Sequence, residues 1–382
     1  MDFDLQWFLL ALPVAFGLGW IASRLDLRQV RRENRDHPRA YFKGLNLLLN
    51  EQQDKAVDAF IEAVQNDPDT AELHFALGNL FRRRGEFERA VRVHEHLLGR
   101  GDLKAADRQR AQYALAQDYL KAGLLDRAEE SYRALEGSPF DIEARLALLQ
   151  LHERSRDWRG AAEDAVRLES AGTGSFASRV AHHWCELALE ADGRGDAAAA
   201  EAALARAREL ASSSPRPWVQ SGQFLARAGR HAEALAAWNE VRQRHPAAFA
   251  LVAEDYAGSA VAADEAGRAL ATLQSLHAQE PSLDLLRAID TLDADPARTR
   301  LRHAEHLARQ PGLSAATLVL RDGPIGLSDT AAASVLAAVE QAAKPLQRYR
   351  CAACAFEAQH YFWQCPGCLS WDSYPPRRLE EQ

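Results

Sequence analysis

The chain has 382 residues, 47% of them hydrophobic, which is enough for two or three domains with buried cores. Its net charge of −8 and pI near 5.9 run against general nucleic-acid binding, which calls for a basic balance. Lysine occurs only at Lys43, Lys55, Lys104, Lys121 and Lys344, never after a glycine, which excludes a Walker A phosphate loop; GxGxxG, GxSxG and HExxH are also absent.

From Leu5 to Ser23 the chain reads LQWFLLALPVAFGLGWIAS without a charge. A helix needs about 17–25 such residues to cross the hydrocarbon core, so this segment is long enough to span. Trp7 and Trp20 sit near its ends, where interfacial aromatics belong, and Pro13 is tolerated in a membrane helix. A cleaved signal peptide is the competing reading, but it needs a basic start, and this segment opens with Asp2 and Asp4. Arg24, Arg28, Arg31, Arg32, Arg35 and Arg39 follow the span, which places the bulk of the chain in the cytoplasm and the short N-terminus outside. There thiols stay reduced. Residues 1–23 are thus read as an anchor and 24–36 as a basic linker.

Residues 37–345 are rich in Ala, Leu, Arg and Glu at helical spacing. The tetratricopeptide pattern repeats over about 34 residues, with small side chains where paired helices approach and a large one that plugs the contact with the next repeat. One unit reads Gly44, Leu47, Ala56, Phe60, Ala63 and Pro68; the next reads Leu77, Gly78, Phe81, Ala90 and Leu97. A later unit reads Trp218, Gly222, Leu225, Ala234, Trp238, Val241 and Pro246. Weaker units fill the gaps, the first helix of the seventh is poorly patterned, and past Ser282 the period is hard to follow. The alternative is an ordinary helical enzyme domain with accidental periodicity.

Such arrays bind proteins on a continuous concave face. At the positions that usually line it, the second unit places Glu72, Phe75, Asn79, Arg82 and Arg83. The third places Arg110, Tyr113, Gln117, Leu120 and Lys121; the sixth places Arg216, Val219, Gln223 and Arg227. Phe75, Asn79, Arg82, Arg83, Tyr113, Lys121 and Arg227 are the partner-binding candidates, arginines and aromatics suited to an acidic segment. Solvated helix faces carry similar residues. The histidines, including His182-His183, His94 and His303, show no carboxylate at a diagnostic spacing and read as surface or packing residues. Glu129-Glu130 and Glu380-Glu381 read as solvated charges, and Cys185 as a small buried hydrophobe. No nucleophile with its base is found, so no enzymatic activity is expected.

Residues 346–382 hold Cys351-Ala-Ala-Cys354 and, after ten residues, Cys365-Pro-Gly-Cys368. Each CxxC lets two thiolates converge from one tight turn, and two such pairs complete a tetrahedral S4 shell suited to zinc or iron. Two disulfides or a thioredoxin-like redox pair are the alternatives. Tyr349, Phe356, Tyr361, Phe362, Trp363, Trp371 and Tyr374 crowd the same segment. So short a piece folds on metal, which supplies about 10–16 kcal/mol in finger-like peptides.

The chain is therefore expected to be all-α: a tetratricopeptide-repeat superhelix with an N-terminal transmembrane helix and a small C-terminal rubredoxin-like or zinc-ribbon module. This trio resembles the lipopolysaccharide assembly protein B family of Gram-negative bacteria. LNEQQDKAVDAF (49–60), LGNLFRRRGEFERAVRVHEHLL (77–98), HHWCELAL (182–189) and YRCAACAFEAQHYFWQCPGC (349–368) carry the resemblance. It implies an inner-membrane regulator of lipopolysaccharide synthesis that works with the FtsH protease to promote degradation of the LpxC deacetylase. It further implies contacts with other synthesis or transport proteins, and a rubredoxin-like iron on Cys351, Cys354, Cys365 and Cys368. Ala355 and Leu369 stand where that family's pattern commonly has Gly after each second Cys. A membrane-tethered electron carrier and a generic envelope-assembly scaffold are the alternatives.

Overall fold

The computed structural model describes residues 14–18, 20, 42–47, 49–50, 52–211, 213–323 and 329–382. Most of the apolar segment 5–23 and the arginine-rich linker lie outside these residues. Among those described, no helix is long and apolar enough to cross a membrane. The chain forms two compact units, residues 1–155 and 156–382.

The first unit is built of consecutive helices, each packed on the next. After a helical stretch at 42–47 come α1 (Gln53–Asn66), α2 (Ala71–Arg83), α3 (Phe87–Gly99), α4 (Ala105–Ala122), α5 (Leu125–Arg133) and α6 (Asp141–Ser155). The apolar positions of the first repeats form one core of Ala56, Phe60, Leu77, Leu80, Phe81 and Ala90. Tyr119, Ala128, Tyr132 and Leu148 form the next. Gly123, in the left-handed conformation at φ 78°, ends α4, a geometry that L side chains resist.

The small-to-large logic of the repeat is visible atom by atom. A Cβ added at Gly44 would come within 2.9 Å of the Phe60 ring, at Gly78 within 2.5 Å of His94, and at Gly222 within 2.2 Å of Trp238. Each plug lies sixteen residues after its glycine, in the same repeat, so it closes the contact between paired helices as well as packing toward the following unit. His94 is thus the second repeat's large residue, a position that sequence reading left unassigned. It is fully buried, and its Nδ1 lies 2.5 Å from the buried Asp118, which also takes Arg82 Nη1 at 2.8 Å.

The second unit continues with α7 (Trp158–Ser170), α8 (Ala177–Gly193), α9 (Ala197–Leu210), α10 (Arg216–Arg227) and α11 (His231–Arg244). A 3-10 turn over Pro246–Val252 replaces the start of the seventh repeat's first helix, which resumes as α12 (Ala253–Ala262) and pairs with α13 (Ala266–Gln279). Beyond Ser282, where the period fades, helices persist as α14 (Leu283–Leu292), α15 (Pro296–Arg309), α16 (Leu313–Arg321) and α17 (Asp329–Ala343). Caps mark their starts: Ser282 accepts from the Leu285 N–H, and Asp295 from the Ala297 and Arg298 N–H groups. Trp238, Phe249, Tyr256, Leu273 and Ile289 make the main core. A two-stranded antiparallel ribbon, β1 (Tyr349–Arg350) with β2 (Glu357–Ala358), opens the C-terminal module.

Three sequence expectations are corrected here. His94, His182 and His303 do have carboxylate partners, Asp118, Asp372 and Asp290 with Asp322. These partners lie 13 to 190 residues away along the chain, which no spacing rule reaches. Glu380 and Glu381 are not solvated: Glu381 accepts the Leu283 N–H at 2.8 Å and Glu380 the Ser314 N–H at 3.0 Å. The tail thereby caps the first turns of α14 and α16, where the helix dipole favours a carboxylate. Glu129 is paired with Arg133 and faces His152.

Candidate metal centre

Two turns with the same hydrogen-bond plan build the site. In the first, Cys351 N–H donates to Phe356 O and Ala355 N–H to Cys351 O; in the second, Cys365 N–H donates to Ser370 O and Leu369 N–H to Cys365 O. Completing each turn requires a left-handed residue after the second cysteine. Ala355 and Leu369 adopt it, at φ 61° and 60°. Where the family pattern favours glycine, this chain accepts backbone strain and keeps the geometry.

The turns bring all four Sγ atoms within 4.8 Å of one another. Cys351 and Cys368 sulfurs are 3.8 Å apart and those of Cys354 and Cys365 3.7 Å, and no disulfide is formed. A tetrahedron with metal–sulfur bonds of about 2.3 Å has edges of about 3.8 Å, which these two pairs match, so the four sulfurs suit zinc or iron. Hydroxyls surround them: Ser373 lies 3.3 Å from Cys351, Ser370 3.3 Å from Cys368, and Tyr374 3.7 Å from Cys365. Desolvation opposes ionisation of Cys351, but the Ser373 hydroxyl and turn N–H groups bring its thiol down to about 6. The Phe356 N–H favours the Cys354 thiolate, yet desolvation and sharing with the other sulfurs push that thiol up to about 12. Four clustered sulfurs resist full ionisation by themselves, and a bound cation removes that resistance.

The module is clasped to the repeats of its own unit. Trp371 stacks on His182 with ring centroids 4.7 Å apart and meets Trp158 and His183 edge-on. The Arg216 guanidinium lies over the Trp371 and Trp363 rings, and its Nη2 donates to Glu186 at 2.5 Å. His182 Nε2 donates to Asp372 at 2.8 Å, as does the Ser178 hydroxyl at 3.1 Å. Burial lowers the His182 pKa against the pull of Asp372, so the imidazole sits neutral. Arg378 donates to Asp284 at 2.9 Å and covers Tyr349. Docking of the module on the repeats through its aromatics is legible in the sequence; that the HHWC segment receives it is not, because the two lie 190 residues apart.

The partner-binding candidates divide. Phe75 is buried beneath the Arg110 guanidinium, 4.1 Å from its ring, and Arg82 is committed to Asp118 and Asn79. Arg216 and Val219 are buried as well. The concave expectation fails at Phe75, Arg216 and Val219 because they are buried, Arg216 against the Trp363 and Trp371 rings, and at Arg82 because its charge is already paired. Tyr113 is half-buried, stacked on Phe140, while Arg83, Lys121 and Arg227 are exposed. Arg82, Tyr113, Gln117 and Lys121 line a groove of about 390 Å³ in the first unit. Arg227, Phe224 and Gln223 line one of about 640 Å³ in the second, with Glu254 and Asp255 at its rim.

Known proteins share these features. A family described as "Rubredoxin metal binding domain" matches residues 349–376, and one described as "Tetratricopeptide repeat" matches residues 43–102. Lipopolysaccharide assembly protein B of Escherichia coli is 30% identical over 384 residues, covering 98% of each chain. The protein of the same name from Haemophilus influenzae is 25% identical over 408 residues, covering 97% of this chain and 98% of its own. Among solved structures, a tetratricopeptide repeat protein from Parabacteroides merdae aligns at 16% identity and TM-score 0.34, over 67% of this chain and 98% of its own.

Proposed function

The chain belongs to the lipopolysaccharide assembly protein B family, and from that premise we propose that it is a non-enzymatic adaptor in lipopolysaccharide assembly, held at the bacterial inner membrane. In this reading it presents the LpxC deacetylase to the FtsH protease and so sets LpxC turnover. The observation that carries the proposal is the joining of open repeat grooves to a metal module clasped by Trp371 and His182. That clasp makes the second unit a preformed surface, which lowers the ordering entropy that binding must offset.

Features near the N-terminus support the membrane part. Val14, Phe16, Leu18 and Trp20 are exposed, as lipid-facing side chains are. Phe42, Leu45 and Leu49 leave an apolar stripe exposed on the first repeat, next to the linker. A tether raises effective concentration to about millimolar, so weak contacts by Arg83, Lys121 and Arg227 suffice.

The test is the LpxC half-life in cells that hold the chain, lack it, or carry Cys365→Ser with Cys368→Ser. Loss of the chain lengthens the half-life, and the double variant behaves as the loss does. An unchanged half-life without the chain rejects the proteolysis role and leaves an envelope-assembly scaffold. One observation favours a second reading, electron transfer: Cys354 and Cys368 face solvent. Full activity from a colourless zinc-loaded protein excludes it.

A further inference from the structure

The four sulfurs are unequal in both access and hydrogen bonding. Cys365 is fully buried, with the Tyr374 hydroxyl 3.7 Å from its sulfur. Cys351 is also buried, with the Ser373 hydroxyl 3.3 Å from its sulfur. Ser373 and Tyr374 have backbone acceptors too, Ser370 O at 3.2 Å and Phe356 O at 3.3 Å, but an ionised sulfur is the stronger acceptor. Cys368 faces solvent under the cover of the Ser370 hydroxyl at 3.3 Å. Cys354 faces solvent with the Phe356 N–H and, among the described residues, no hydroxyl.

A hydroxyl that donates to a thiolate draws charge from it and lowers its nucleophilicity; exposure sets how often a reagent arrives. Exposure leaves Cys354 and Cys368, and the Ser370 hydroxyl, which covers only Cys368, separates them. We propose that Cys354 is the labile corner of the centre, the modification site at which soft electrophiles react first. Ser370, Ser373 and Tyr374 protect the other three sulfurs. With an alkyl iodide, a Cys354 sulfur lone pair forms the S–C bond as the C–I bond breaks and iodide leaves. No proton moves, because the sulfur is already a thiolate, and the resulting thioether is a much poorer ligand.

The experiment pulses the full-length, metal-loaded chain in detergent with limiting iodoacetamide and maps the labelled peptides by mass spectrometry. Cys185, fully buried in α8, reports any global opening. Cys354 labels roughly tenfold ahead of the other ligands, in line with the usual weight of an outer-sphere hydrogen bond, and Cys185 stays unlabelled. Ser370→Ala raises Cys368 toward the Cys354 rate and leaves Cys354 unchanged, while Ser370→Thr, which keeps the hydroxyl, restores slow Cys368 labelling. Cys368 reacting as fast as Cys354 in the unaltered chain overturns the proposal. So does labelling of all five cysteines together, which means unfolding exposes them, or a Thr variant that behaves like Ala.

Discussion

At the scale of single residues, Ala355 and Leu369 show what the metal turns demand. Each holds a left-handed backbone, at φ 61° and 60°, that costs an L residue about 1–2 kcal/mol. Glycine relieves the strain but adds freedom to the unfolded chain, worth about 0.5–1 kcal/mol. Leu369 is 43% exposed, so little burial is lost with its side chain. Ala355→Gly and Leu369→Gly are therefore expected to be neutral to stabilising, by up to about 1 kcal/mol each. Melting of the metal-loaded chain checks this; a drop in melting temperature for both variants shows that the turns are not strained. The cysteine ligands were legible because each CxxC is a local pattern. The hydroxyl partners were not, since Ser370, Ser373 and Tyr374 follow no spacing rule and face sulfur only once the turn has closed.

At the scale of elements, buried histidines join helices and make stability depend on pH. Burial lowers the His277 pKa to about 4, helped by His306 and Arg309, and burial likewise lowers His74, His182 and His306. His277 Nε2 and His306 Nδ1 are 3.0 Å apart, a hydrogen bond that needs a neutral acceptor. A histidine with a depressed folded pKa binds more protons when unfolded. Its contribution is therefore present above the unfolded pKa of about 6.5 and is lost as pH falls toward the folded value. His303 has the opposite sign: burial lowers its pKa, but Asp290 and Asp322 raise it further, so it stabilises below about pH 6.5 and fades as pH rises. Four groups outnumber one. The urea midpoint is expected to fall between pH 7 and pH 5, and His277→Gln to shrink that fall; an equal fall in the variant removes His277 from the account. The helices that carry these residues were readable from period and caps. Their pairing was not, because a histidine finds its carboxylate by tertiary packing.

At the scale of the whole molecule, metal and repeats share one unit. Trp158, Trp184, Trp218, Trp238, Trp363 and Trp371 all fall in residues 156–382, so tryptophan fluorescence outside the apolar segment reports that unit. Binding at an S4 site supplies about 10–16 kcal/mol in small zinc peptides, and here the clasp at Trp371, Asp372 and Arg378 transmits part of it to the helices. Chelation is expected to shift the fluorescence-detected transition of the second unit to lower temperature. The helical signal of the first unit should keep its own transition. A single transition moving in both signals means that the two units unfold together.

Local periodicity was enough to reveal the ligands, the repeated helix pairs and the apolar N-terminal segment, because each needs only neighbours a few residues away. Long-range packing settled the rest. Phe75 and Arg82 sit at positions that face a groove in an ideal repeat, yet Phe75 is buried and Arg82 is paired with Asp118; Glu380 and Glu381 resemble a solvated tail, yet they cap two helices. Burial and pairing depend on what other segments bring to the same place, and no spacing within one segment contains that information.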